Sequence, residues 1–334
     1  MAVKYPIIKT NEYMNRLRKL SPILIGLLCC TTVNAHDFYS DGIYYNITSS
    51  TDLTVAVTAK ELYLDYLFPY SYSGEVIIPE VVTYNNNTYR VTAIDEFAFY
   101  NSDITSVVIP NSVTRIKKNA FDGCSSLTSI IIPNSVTEIE EYAFWGCNRL
   151  TSIIIPNSVV KIGEYTFAGT AWYENQPDGV VYAGNVLYKY KGEMPEGTSI
   201  DIKKGTTCIA DHAFSNCENL VSITSPNSVT SIGSCSFSDC TNLASITISG
   251  SVTEIGKFAF SSTAWLENQP DDIVYAGNVL YKYNIVYKDV TSFEIKKGTT
   301  GIAGGAFCFS RYLHSITIPE GVMSIGEGAF YSCI

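Results

Sequence analysis

Phenylalanine returns along this chain at Phe99, Phe121, Phe144, Phe167, Phe214, Phe237, Phe260, Phe307 and Phe330, at gaps of 22, 23, 23, 47, 23, 23, 47 and 23 residues. A fixed period of this length belongs to stacked repeats, in which each unit buries its apolar face only against its neighbours. A chain of 334 residues could otherwise divide into two or three cores. A periodic array instead grows by adding coils, so one elongated body is expected.

Aligned on the phenylalanine, the unit reads L-x-x-I-x-I-P-x-S-V-x-x-I-x-x-x-A-F-x-x-C, with one clean copy from Leu127 to Cys147. The alternation at Ile130 and Ile132 predicts a short strand with alternate side chains turned inward. Pro133 has no amide hydrogen to give a ladder, so it ends that strand. Val136 and Ile139 are expected to carry the chain across the core. Ala143 and Phe144 then fall in a short helical or irregular turn on the other side, where stacked phenylalanines form a spine. Each ring buries roughly 150–250 Å², more than a single coil can hide.

These strings resemble the BspA-like class of leucine-rich repeats, whose units look like I-P-N-S-V-T-x-I-G-x-x-A-F-x-x-C. The likeness runs through Ile109 to Phe121, Ile132 to Phe144 and Ile155 to Phe167, and more loosely through Ser225 to Phe237, Ile248 to Phe260 and Ile318 to Phe330. It covers about residues 90–334. The resemblance implies a repeat solenoid with short parallel strands on one face, and adhesion to host matrix proteins or other cells.

The two long gaps hold a larger repeat. Residues Trp172 to Tyr190 read WYENQPDGVVYAGNVLYKY and Trp265 to Tyr283 read WLENQPDDIVYAGNVLYKY, 93 residues later. Two alternating runs around a Gly-Asn turn predict β-hairpin insertions at 180–190 and 273–283, within islands at about 170–196 and 263–290. Residues 36–90 miss the period and are expected to form a β-rich N-terminal cap shielding the first coil, with the solenoid occupying 91–334.

Residues 1–35 read as a secretion signal, with Met14 a candidate for the true start. Arg16, Arg18 and Lys19 precede an apolar run from Pro22 to Cys30, and cleavage is expected after Ala35. A lipid anchor at Cys29 is disfavoured because Leu28 stands where that signal needs a small residue. Removing this segment takes away five basic residues and one acidic one, leaving 17 basic against 31 acidic, a net charge of −14. That balance argues against nucleic acid and anionic membrane surfaces as partners. No later stretch approaches the roughly 20 apolar residues of a permanent transmembrane helix.

Nothing in the sequence assembles a catalytic, metal or cofactor site. Cys124, Cys147, Cys217, Cys240 and Cys333 share one repeat position with Ser102, Thr170, Thr263 and Ser310, which reads as a ladder of small residues. Stacked coils about 4.8 Å apart leave both a reduced ladder and disulfides open. No G-x-S-x-G surrounds a serine, and His212 sits before Ala213-Phe214 as a solvent-facing turn residue. The acidic groups at Asp95-Glu96, Glu138 with Glu140-Glu141, and Asp271-Asp272 read as a solvated face of separate coils, not as a glycosidase pair.

Two surfaces remain as candidates for a partner. The non-core strand positions form a row of Ser106 and Val108, Ser129 and Ile131, Ser152 and Ile154, Ser222 and Thr224, Ser245 and Thr247, and Ser315 and Thr317. These residues suit contact with a protein or glycan, and equally suit any strand. The hairpins offer Trp172, Tyr173, Tyr182, Tyr188 and Tyr190 in one copy and Trp265, Tyr275, Tyr281 and Tyr283 in the other, as recognition anchors or as packing against the solenoid. The reading is a secreted or cell-surface, non-catalytic binding protein. The alternatives are a scaffolding module of a larger envelope protein and a glycan-binding module.

Overall fold

Each regular coil has three sides, and hydrogen bonds to its neighbours run along all of them. The structure is a computed structural model that describes residues 36–60, 72–270, 272–283 and 291–333; the secretion-signal reading of 1–35 lies outside these. The front side is the strand the Ile-x-Ile pattern predicts, as in Ser129–Ile131 and Ser152–Ile154, which pair in parallel with Ile130 beside Ile153. Ile130 is buried and Ile131 is exposed, as the two-residue period requires.

The second side is a ladder that no two-residue period could announce. Ile139 lies in the strand Glu138–Ile139, which pairs in parallel with Arg115–Ile116 before it and Lys161–Ile162 after it. The expectation that Val136 and Ile139 merely cross the core therefore gives way to a back ladder of two-residue strands.

The third side carries the phenylalanines in non-helical turns. Residues two before the ring take left-handed backbone, as Asn119, Tyr142 and Tyr165 do at φ 55°, 57° and 54°. The Phe99, Phe121 and Phe144 amides donate to Ala120, Ala143 and Thr166 of the next coil. Back-ladder amides such as those of Lys117 and Gly163 donate the opposite way, to Ile94 and Ile139 of the coil before. Phe99, Phe121 and Phe144 stack at 4.9 and 5.0 Å with planes within 6°.

The two 47-residue gaps are coils in which tyrosine stands in for phenylalanine. The hairpin Gly179–Ala183 with Val186–Lys191 does not project. Its second strand runs parallel to the back strand Cys208–Ile209, with Leu187 beside Ile209. The Phe167 amide has no neighbouring carbonyl here and donates instead to the Tyr188 hydroxyl at 3.0 Å. Tyr190 restores the regular pattern, its amide donating to Ala213 as each phenylalanine amide does. The second copy repeats this, with the Phe260 amide bonded to the Tyr281 hydroxyl and the Tyr283 amide bonded to Ala306.

Residues before the first regular coil form antiparallel strands Phe38–Ser40, Ile43–Ser49 and Thr54–Thr58, the last of which pairs in parallel with Asn87–Ile94 of the back ladder. Tyr72 meets the first spine ring, Phe99, at 4.7 Å. The front ladder begins earlier than the phenylalanine period suggests, at Ser73–Ile77, which pairs with Asp103–Val108. Its alternating run Glu75 to Ile78 and the Pro79 that follows repeat the strand and strand-ending proline of the regular unit.

Buried side chains gather in two clusters that meet at the first hairpin. Val186 and Tyr188 pack with the coils before it and Leu187 with those after, because neighbouring strand residues point to opposite sides.

Candidate functional site

The front ladder lines up the non-core strand positions. Ile77 stands beside Val108 and Ile131 beside Ile154, and these four are 70, 57, 65 and 56 % exposed. Ser106, Ser129 and Ser152 form the neighbouring column, which Glu75 begins. Val108, Ile131 and Ile154, with Ser106, Ser129 and the Asn111 and Asn134 that follow the prolines, border a shallow groove of about 600 Å³. The hairpin turn packs on the exit of the last of these strands, where a Cβ at Gly184 would come within 3.2 Å of the Ile155 carbonyl. Gly184 also takes φ +62°, so glycine suits the turn on both counts.

Beyond each hairpin the front row changes character. The positions that hold Ile131 and Ile154 become Asp201, Thr224 and Thr247 in the next three strands, and Glu294 and Thr317 in the last two. Ser199, Ser222 and Ser245 continue the hydroxyl column, with Ser222 Oγ donating to Ser199 Oγ at 2.8 Å, and Ser315 lies beside Ser292. The row is thus aliphatic before the first hairpin and polar after it. The candidate row of strand residues falls into these two kinds.

The hairpin aromatics serve the solenoid. Tyr188, Tyr281 and Tyr283 are 3, 7 and 4 % exposed and present no surface to a partner. Burial pushes the Tyr188 and Tyr281 hydroxyls well above the ordinary phenol range, so they stay neutral. Trp172 and Trp265 lie edge-on to Phe167 and Phe260 at 5.1 and 5.0 Å, half-buried on short helices Ala171–Glu174 and Ala264–Glu267. Tyr173 meets Tyr188 at 5.8 Å, and Tyr190 lies 6.3 Å from Phe214. Tyr182 and Tyr275 accept from the Lys203 and Lys296 amides, with the same lysines over their rings.

Three of the acidic residues read as a solvated face also pair with lysines of neighbouring coils. Asp95 meets Lys117 at 2.8 Å, and Glu138 and Glu141 meet Lys161 and Lys118 at 2.6 Å; Asp271 lies outside the described residues. His212 is half-buried, with Nε2 3.2 Å from Glu164. Burial lowers its pKa more than Glu164 raises it. A second groove of about 480 Å³ along the back ladder holds Lys161, Asp211 and Cys208. Burial raises the Asp211 carboxyl to about 6 and the Cys208 thiol to about 12, leaving that sulfur a poor nucleophile. The repeat-position thiols of Cys124, Cys147 and Cys240 donate to phenylalanine carbonyls of the coil before, and the eight described cysteines are free. Among the described residues no three His, Cys, Asp or Glu side chains converge as a metal site would need.

The profile of the BspA-type leucine-rich repeat region matches six copies over residues 92–176, 189–270 and 278–334. The chain belongs to the BspA-type leucine-rich repeat family. Solved structures similar to it include a leucine-rich repeat protein from Bacteroides ovatus, 27 % identical over 89 % of this chain and 80 % of its own, with a TM-score of 0.38. A leucine-rich cell surface protein from Faecalibacterium prausnitzii is 23 % identical over 89 and 80 %, with a TM-score of 0.39. A leucine-rich repeat protein from Bacteroides capillosus is 32 % identical over 40 % of this chain and 92 % of its own, with a TM-score of 0.34. No curated protein matches the chain.

Proposed function

We propose that this chain is a secreted or cell-surface protein that binds another protein in an adhesin-like way, without catalysis, through the aliphatic half of its front ladder. The observation that carries this is the run Ile77, Val108, Ile131 and Ile154, four large apolar side chains exposed in one line. Soluble surfaces scatter such residues singly, whereas a contiguous apolar strip with a polar rim suits a partner. The serine and asparagine columns on either side supply that rim. The secretion-signal pattern of residues 14–35 supports the location, and among the described residues no helix is long and apolar enough to cross a membrane.

The test replaces Ile131 and Ile154 with the threonine that the same column carries at Thr224 and Thr247. Binding of the full chain to immobilised extracellular-matrix proteins is expected to weaken about tenfold or more, since interface anchors contribute more than about 1 kcal/mol each. The melting temperature is expected to stay unchanged. Undiminished binding would remove the front ladder as the site.

A further inference from the structure

The two short helices of the internal repeat end alike, but the lysine that closes the first has no counterpart in the second. Lys191 Nζ donates to the carbonyls of Tyr173, Glu174 and Gln176 at 3.3, 2.6 and 2.7 Å, and lies 5.6 Å from the centre of the Tyr173 ring. The last carbonyls of a helix find no partner within it, and a lysine ammonium is one group that satisfies them. Asp178 packs on the next residue, Gly192, where an added Cβ would come within 2.4 Å of its Cγ.

The second copy keeps these carbonyls. The Asn268 and Gln269 amides donate to Ala264 and Leu266, as Asn175 and Gln176 do to Ala171 and Tyr173. The Gln269 side chain reaches back to the Trp265 carbonyl at 3.1 Å, as Gln176 reaches Trp172 at 3.0 Å. The same bonds therefore hold the Leu266, Glu267 and Gln269 carbonyls where their counterparts gather on Lys191. Among the described residues no donor reaches the carbonyl of Glu267 or Gln269.

Two substitutions alter the charge at this place. The position of Lys191 is Asn284 in the second copy. In the first hairpin Lys191 faces Gly179 across the strands, and the position of Gly179 is Asp272 in the second. Lys191 and Asp178 cancel, whereas Asp271 and Asp272 stand in the second copy with no lysine at the matching position, a net charge of −2. Asp272 is exposed, and one of its oxygens accepts from the Ile273 amide at 2.8 Å.

The oxygens select the ion. Carbonyls with a carboxylate are hard ligands, which suit calcium better than zinc or copper. A deficit of two charges matches a divalent cation, and potassium would offset half of it. Magnesium demands a near-ideal octahedron and sheds water reluctantly, conditions that three carbonyls on one short turn do not meet.

We propose that the carbonyls of Leu266, Glu267 and Gln269, with the Asp272 carboxylate, form a calcium site in the second hairpin coil, at the place where the first coil supplies Lys191. The site uses no residue of the front row and stands or falls independently of it. One interruption of the array then carries its cation built in, and the other takes it from the surroundings.

The experiment dialyses the full chain free of metal, titrates it with calcium chloride by calorimetry, and melts it with and without the salt. A single calcium ion is expected to bind with a dissociation constant of about 10⁻⁴–10⁻³ M, the range of extracellular calcium modules, and to raise the melting temperature. Magnesium and potassium chlorides at the same concentration should raise it less. Asp272→Gly should weaken binding about tenfold or more. Asn284→Lys, which restores the ammonium of the first copy, should abolish binding and melt no lower than the calcium-free parent. No calcium binding by the parent, an equal response to magnesium or potassium, or calcium binding that both variants leave intact would overturn the site. So would an Asn284→Lys chain that melts below the calcium-free parent, because the carbonyls would then not be arranged to receive a cation.

Discussion

A single hydroxyl group decides whether the spine can cross each interruption. The Phe167 amide is buried, and the Tyr188 oxygen is its acceptor. Tyr188→Phe keeps the ring and leaves that N–H unpaired, which costs about 1–3 kcal/mol. The expected result is a lowered melting temperature for Tyr188→Phe and likewise for Tyr281→Phe, with Tyr190→Phe nearly neutral because its backbone amide makes the coil bond. Equal loss in all three would refute the hydroxyl's role. Phenylalanine spacing made the spine legible, yet these tyrosines read as hairpin residues that either anchor a partner or pack against the solenoid, not as a continuation of the spine. The clue was arithmetic: Tyr190 and Tyr283 each follow a spine phenylalanine by the regular 23 residues.

Secondary structure here divides into what periodicity announces and what only neighbours create. The front strands and both hairpins stand close to where alternation placed them, since half-buried strands print a two-residue pattern. The back ladder could not be read, because a two-residue strand such as Glu138–Ile139 has no period and exists only through the coils on either side. The same limit applies to the candidate surface. The row of strand residues was legible as a row, but its split into aliphatic and polar halves depends on the hairpin coil that interrupts it. The hairpin turn tests this element directly. Gly184→Ala meets both a left-handed backbone and the Ile155 carbonyl, and is expected to destabilise by about 1–2 kcal/mol or more. Gly205→Ala, at φ +88° with open space around it, isolates the backbone share. Denaturant midpoints of the two variants separate the contributions, and equal shifts would show that the turn does not press on the front-strand exit.

For the molecule as a whole, the strand Val186–Lys191 is a wall shared by two cores. Nearest-neighbour arrays unfold together only while each interface holds. Leu187→Ala removes a buried side chain from the later cluster, at about 2–5 kcal/mol. Hydrogen exchange should then show residues 214–260 losing protection before 115–167, whereas the parent loses both together; simultaneous loss in the variant would mean the wall does not partition the fold. The tyrosine bridges at Phe167 and Phe260 are the same joint, made twice, 93 residues apart. Between one joint and the next lie four coil steps, about 19 Å at a 4.8 Å spacing. Because both ends of that block present the same bonds, adding or removing a copy would change the reach of the protein from whatever holds it without requiring a new core, as sections are added to a telescoping mast.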